Sequence, residues 1–171
     1  MTHHRHLTAL LCFIVICFMP TFSQAASHHE VVVDKTSRTL WVLIDNSVVA
    51  KFKISLGPNP EGHKQEIGDG KTPEGSYQLT WKSDESKYYR AFHINYPNSE
   101  DARLAAQRGK HPGGNIKIHG LPNSTVFDTK DYLAFDWTEG CIAVSNEAMD
   151  QLFRLIPNGT QIFIYANLFD S

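Results

Sequence analysis

Apolar and polar positions alternate with period two through most of this chain and follow the helical period in only two places. Val31 to Asp34 and Thr39 to Ile44 are β-branched and aromatic runs and read as strands. Asp45-Asn46-Ser47 supplies a turn, and Val48 to Ser55 return as an antiparallel partner. Lys51 and Lys53 alternate with Phe52 and Ile54, so one face of that strand meets water. Ser76 to Trp81, Tyr88 to Tyr96, Ile116 to Ile118, Ile142 to Val144 and Gln161 to Ala166 complete the strand set.

Two stretches read as helices. Asn98 or Ser99 caps the first, with Glu100 and Asp101 in its first turn and an end at Gly109; Leu104, Ala105 and Arg108 share one side. Ser145 caps the second, with Glu147 in its first turn. Its Met149, Leu152, Phe153 and Ile156 form a stripe that docks on a sheet, and Pro157-Asn158-Gly159 end it. About eight strands and two helices, mostly strand after strand, predict a mainly β domain, antiparallel or mixed, with helices packed outside.

Three stretches fall outside this pattern. Ser27 to Glu30 read as a mobile leader, where the pair His28-His29 is better taken as solvated than as metal-binding. Gly57 to Gly75 is a Gly- and Pro-rich loop, with His63 expected exposed. It is no phosphate loop, because Gly70-Lys71-Thr72 runs into Pro73 and a strand rather than a helix. Leu121 to Trp137 is long for a connection in a compact domain, and such loops are often lids or binding loops.

The N-terminus belongs to none of this. Leu7 to Met19 is almost wholly apolar, Pro20 breaks the run, and Ser23-Gln24-Ala25 places small residues for cleavage after Ala25. The segment 1–25 reads as a secretory signal peptide, leaving 26–171 as one domain in the periplasm or cell envelope. Cys12 and Cys17 leave with the signal, and neither follows the small residue a lipoprotein site needs. The apolar fraction of 42% and charged fraction of 20% suit a globular domain. The formal net charge of −2 gives no electrostatic case for nucleic acid.

Cys141 is then the single thiol of the mature chain. A buried inert cysteine is the bland reading. The surroundings point to chemistry: Ile116 to Ile118 deliver His119-Gly120, and Gly140 directly precedes Cys141, 22 positions further on. These two short apolar runs suit neighbouring strands. A thiol attacks as the thiolate, and at a pKa of about 8.5 little is ionised near neutrality, so a base such as His119 is needed. The Gly120 carbonyl or Asp136 could orient that base. The N–H groups of Gly140 and Cys141 could face an oxyanion, each donor worth roughly 3–4 kcal/mol. The reaction class is acyl transfer through a thioester. His93 reads as a strand residue and His111 as exposed. No cofactor or metal is implied.

At these residues the chain resembles the L,D-transpeptidase catalytic domain (YkuD) family, closest to its YafK-like branch. The resemblance is carried by IHG at 118–120 and TEGCIAVSNEAMDQLF at 138–153, with GDGKTPEGSYQL at 68–79 and FHINYPNSEDA at 92–102. It implies a β-sandwich-like fold and a cell-wall enzyme with Cys141 as nucleophile and His119 as base. It also implies peptidoglycan stem peptides as substrates. The thiol attacks the carbonyl at the L-centre of diaminopimelate and expels the terminal D-residue; an amine of another stem peptide or of a lipoprotein resolves the thioester. Acylation by carbapenems is implied as well. Glu139 stands where members often carry His, and Ala143 where they often carry a substrate-binding Arg. The branch includes a hydrolase of the diaminopimelate–lipoprotein link, so two further readings stand beside transpeptidation: a hydrolase using the same pair, and a wall-binding protein without turnover. Acceptor, oligomeric state and any gating partner are left open by the sequence.

Overall fold

The structure, a computed structural model, describes residues 26–124 and 128–168. The signal-like segment 1–25 lies outside the described residues. Eight strands form one mixed sheet: β1 (His29–Asp34), β2 (Thr39–Ile44), β3 (Ser47–Lys53), β4 (Gly75–Ser86), β5 (Tyr89–Ile94), β6 (Lys117–His119), β7 (Ile142–Ala143) and β8 (Thr160–Tyr165). Their order is β3-β2-β1-β8-β4-β5-β6-β7. β1 with β8 and β6 with β7 pair in parallel, and the other neighbours are antiparallel.

The sheet curls until its two edges meet. Ser55, just past β3, and Ala143 in β7 exchange two backbone hydrogen bonds of 2.9 Å each. Curling gives the sheet two facing layers, the sandwich-like form expected. It also satisfies edges that would otherwise be open to another chain. Alternate residues of the strands fill the interior: Val31, Val33, Leu40, Val42, Leu79, Phe92, Ile94, Ile118, Ile142, Ile162 and Ile164 are all buried.

Three helices decorate this sheet, one more than the sequence pattern indicates. α1 (Ser99–Gln107) is capped by Asn98, whose side chain accepts from Glu100 and Asp101 while Asp101 accepts the Asn98 N–H in return. α2 (Thr129–Tyr132) is a single turn inside the long loop, too short to leave a periodic signature. α3 (Asn146–Leu155) starts at Ser145 and buries Met149 and Leu152. The Phe153 ring meets Phe92 at 4.9 Å, and Lys82 Nζ donates to the Phe153 carbonyl at 2.7 Å, closing the last turn. Among the described residues no helix is long and apolar enough to cross a membrane.

Two expectations from the sequence are corrected. His29 and Glu30 are not a mobile leader but the start of β1, opposite Ile44 and Leu43, because Asp45 fastens the strand: its N–H donates to the His28 carbonyl and its carboxylate accepts the His28 N–H, both at 2.9 Å. His63 is not a free loop residue. Its Nδ1 accepts the Glu74 N–H at 3.0 Å and its Nε2 lies 3.2 Å from the buried Asp101 carboxylate, which the Tyr77 hydroxyl also reaches at 3.0 Å. The Gly- and Pro-rich loop is thereby tied to α1 and β4. Lys35, 2% exposed, ties it from the other side by donating to the Gly62 and Thr72 carbonyls and the Glu74 carboxylate.

Candidate active site

β6 ends in His119 and β7 begins one residue after Cys141. The strands pair in parallel, Ile118 with Ile142 and His119 with Ala143. Continuing this register by one residue sets Lys117 opposite Cys141. Partners across a ladder share a sheet face, and so do alternate residues of one strand. His119 and Cys141 therefore lie on the same face, diagonally across neighbouring strands, and both line a cavity of about 330 Å³.

His119 is 3% exposed. Its Nδ1 lies 2.7 Å from the Gly120 carbonyl oxygen. A carbonyl only accepts, so Nδ1 carries the hydrogen and Nε2 keeps its lone pair. Burial pushes the imidazole down to about 4, against the Gly120 hydrogen bond and with a smaller contribution from the Lys117 charge. His119 is thus a neutral imidazole of fixed tautomer at neutral pH. The Tyr88 ring sits at 4.5 Å and the Trp137 ring at 5.7 Å, and Trp137 is anchored by its indole N–H donating to the Tyr132 carbonyl at 2.9 Å. Gly120 has no room for a side chain: a Cβ would stand 2.6 Å from Asn146 Oδ1, which accepts the Leu121 N–H at 2.9 Å. Asp136, the other candidate orienter, is committed elsewhere. It takes the Arg38 guanidinium at 2.6 Å and the Leu56 N–H at 2.9 Å.

Cys141 is half-buried, with Sγ 3.8 Å from the Asn115 carbonyl oxygen. Burial pushes its thiol up, and a backbone hydrogen bond from Lys117 works in the opposite direction. The resting site therefore favours thiol and imidazole over an ion pair. The turn before the cysteine is tightly specified. Gly140 has φ +114, and a Cβ there would lie 2.4 Å from the Lys71 carbonyl oxygen, so only glycine fits. Thr72 Oγ1 donates to the Gly140 carbonyl at 2.9 Å, and Thr138 Oγ1 donates to the Cys141 carbonyl at 2.8 Å. The Gly140 N–H donates to Thr138 Oγ1 at 3.1 Å. That bond removes Gly140 from the pair of oxyanion donors expected from the sequence and leaves the Cys141 N–H.

Glu139 is exposed and lines both this cavity and an adjoining one of about 570 Å³ that reaches Lys64, Gly70 and Asp136. Ala143 is fully buried between His119 and Ser55, a position with no space for an arginine. His93 lies on β5 and is not among the cavity's lining residues, nor are His111 and His28, which are exposed. Sequence reasoning missed Tyr88, Trp137 and Asn115 as cavity residues. The alternation over Tyr88 to Tyr96 places Tyr88 in a strand, but it lies just before β5, and no period marks a loop aromatic as a wall.

The L,D-transpeptidase catalytic domain (YkuD) matches residues 28–164 of this chain. Among curated proteins, YafK of Escherichia coli (strain K12) is 32% identical over 123 residues, 71% of this chain and 40% of YafK. YqjB of Bacillus subtilis (strain 168) is 29% identical over 138 residues, 78% of this chain and 69% of YqjB. Both bear the name L,D-transpeptidase on a provisional basis. The chain spans about 40% of the length of YafK. Among solved structures, the helical cell shape determining protein Pgp2 of Campylobacter jejuni superposes with a TM-score of 0.62 at 27% identity, over 84% of this chain and 49% of Pgp2. The L,D-transpeptidase of Xylanimonas cellulosilytica, at 21% identity and a TM-score of 0.52, shares the fold over 86% of this chain and 65% of that protein.

Proposed function

We propose, from the premise that this chain belongs to the L,D-transpeptidase catalytic-domain family, that it is a cysteine acyltransferase acting on peptidoglycan stem peptides in the cell envelope. The observation that carries the reading is the tautomer of His119. The Gly120 carbonyl fixes hydrogen on Nδ1 and leaves Nε2 its lone pair, and His119 lines a cavity together with the only thiol among the described residues.

In this reading Nε2 takes the Sγ proton as the thiolate attacks the carbonyl carbon at the L-centre of diaminopimelate. The N–H of Cys141 faces the oxyanion that forms. The tetrahedral species collapses, the C–N bond to the terminal D-residue breaks, and the imidazolium returns its proton to the departing amine. A thioester remains on Cys141. An amine of a second stem peptide then attacks it, its proton passing to His119 and on to the thiolate as the thiol leaves. Water in place of the amine gives hydrolysis by the same residues, and a lipoprotein amine gives attachment to the wall. The cavity walls of Tyr88 and Trp137 screen the thioester from bulk water. Export by the signal-like segment would place the enzyme with its substrate.

The test is intact-mass analysis after incubation with a disaccharide-tetrapeptide containing diaminopimelate, with Cys141→Ala in parallel and products read from the same samples. An adduct that requires Cys141, together with dimer, supports transpeptidation. Loss of the terminal residue without dimer assigns the hydrolase. A folded protein giving neither, and unreactive to a carbapenem, returns the reading to a wall-binding protein.

A further inference from the structure

We infer that the row Trp81–His93–Lys117, on the sheet face that carries Cys141, is a subsite for the amino-sugar end of the substrate. This rests on the stem-peptide reading above and names a part of the substrate that reading leaves unassigned. Trp81 pairs with His93 across β4 and β5, and His93 pairs with Lys117 across β5 and β6. Continuing the β6–β7 register sets Lys117 opposite Cys141. One cross-strand row thus runs from an exposed tryptophan to the nucleophile.

The chemistry of the row suits a sugar. Trp81 is 45% exposed, so its indole is open to a ligand. Its ring stacks on His93 with centroids 5.2 Å apart and planes 8° from parallel. The β4–β5 register shifts between Leu79 and Trp81, an irregularity of the kind that re-aims a side chain. Lys117 Nζ lies 5.8 Å from the Trp81 ring centroid, and the Thr80 hydroxyl lies 3.0 Å from His93 Nδ1. A flat apolar ring face bordered by an ammonium and a hydroxyl can pack the C–H face of a pyranose and bond its hydroxyl and acetamido groups.

The spacing also agrees. Strands lie about 4.8 Å apart, so three steps separate Trp81 from Cys141 by roughly 14 Å. Three extended residues span roughly 10 Å, and the lactyl ether and the γ-linked second residue of a stem add a few more. With the diaminopimelate carbonyl at Cys141, the sugar reaches Trp81. Lys117 then meets the free carboxylate of the γ-linked residue, a cation that the buried Ala143 does not supply.

The test compares kcat and KM for the disaccharide-tetrapeptide and for the same tetrapeptide without sugars, in the full chain and in its Trp81→Ala and Trp81→Phe variants. Titration with N-acetylglucosamine tetramer is the second readout. The expected result is a kcat/KM at least about tenfold higher for the sugar-bearing substrate. Trp81→Ala removes that preference through KM, with kcat and the turnover of the bare peptide unchanged, and Trp81→Phe keeps most of it. The tetramer binds saturably to the full chain and not to Trp81→Ala. Equal kcat/KM for the two substrates, or a preference that survives Trp81→Ala, overturns the subsite. If neither substrate turns over, the acyltransfer reading fails instead. The subsite is then decided by the tetramer: binding that depends on Trp81 upholds it, and absence of binding overturns it.

Discussion

Burying the His119 imidazole without a charge partner has a measurable cost in acid, and His119→Gln exposes it. In the unfolded chain His119 titrates near its ordinary 6.5; in the fold, burial holds it at about 4. Above pH 6.5 the ring is neutral in both states and the shift contributes nothing to pH dependence. As the pH falls from 6.5 to 4, the unfolded state takes up a proton that the folded state refuses, and stability declines. Below 4 both states are protonated and the loss is complete. A difference of about 2.5 pKa units corresponds to roughly 3 kcal/mol, half of it lost by about pH 5.5. Glutamine keeps the volume and polarity and has no proton to gain.

The assay is urea unfolding followed by circular dichroism at several pH values between 7.5 and 3.5, for the parent and for His119→Gln. Subtracting one curve from the other cancels the carboxylates common to both. The difference in unfolding free energy between parent and variant falls by about 3 kcal/mol from pH 7 to pH 4. A difference that stays flat across that window would refute the argument, because it would mean the imidazole is charged or solvated in the fold.

Other outcomes follow from the same geometry. The acid limb of kcat/KM lies near pH 4 rather than 6.5, since it reports the base in the free enzyme, and a pH–rate profile reads it directly. Cys141→Ser lowers acyl-adduct formation by several orders of magnitude while thermal unfolding stays near the parent, because a half-buried thiol is replaced by a group of nearly equal size. Gly140→Ala costs roughly 3 kcal/mol or more, since the new Cβ meets the Lys71 carbonyl at 2.4 Å with φ at +114, and a lowered melting temperature reports it. Arg38→Ala costs about 1–3 kcal/mol by stranding the partly buried Asp136, which also holds the Leu56 amide; denaturant unfolding with Asp136→Asn alongside separates the pair from its parts.

The sequence made the frame legible because its signals are local. Period two marked the strands, Asp45-Asn46 the hairpin, and Asn98 and Ser145 the helix caps, with strand ends shifted by a few residues. His119 and Cys141 were legible for a different reason: each stands at the end of a short apolar run beside a glycine. What stayed hidden depends on long-range pairing. Nothing in the alternation of Val31 to Asp34 says that β8 pairs with it in parallel, or that Ser55 meets Ala143 and closes the sheet. The same holds for Thr138. Its hydroxyl claims the Gly140 amide because Leu56, in the segment after β3, accepts the Thr138 N–H at 2.9 Å and sets the turn.

Ala143 and Glu139 gain a physical meaning from this closure. Position 143 pairs with His119 on one side and with Ser55 on the other, and it is fully buried where the sheet edges meet. A long cation at 143 would part those edges, so in this chain a small residue serves the closure, and under the proposed function carboxylate recognition falls to another strand. Lys117 is the neighbouring cation on the same face. Glu139 is displaced the other way, out of the sheet and onto the rim shared by the two cavities. A carboxylate there attracts an incoming ammonium and does nothing for water. If the acceptor is an amine, Glu139→Gln slows its capture and leaves formation of the thioester intact; if the acceptor is water, both steps proceed unchanged. Single-turnover acylation followed by addition of the amine resolves the two, and a Glu139→Gln enzyme that loses acylation itself would sink this division of roles.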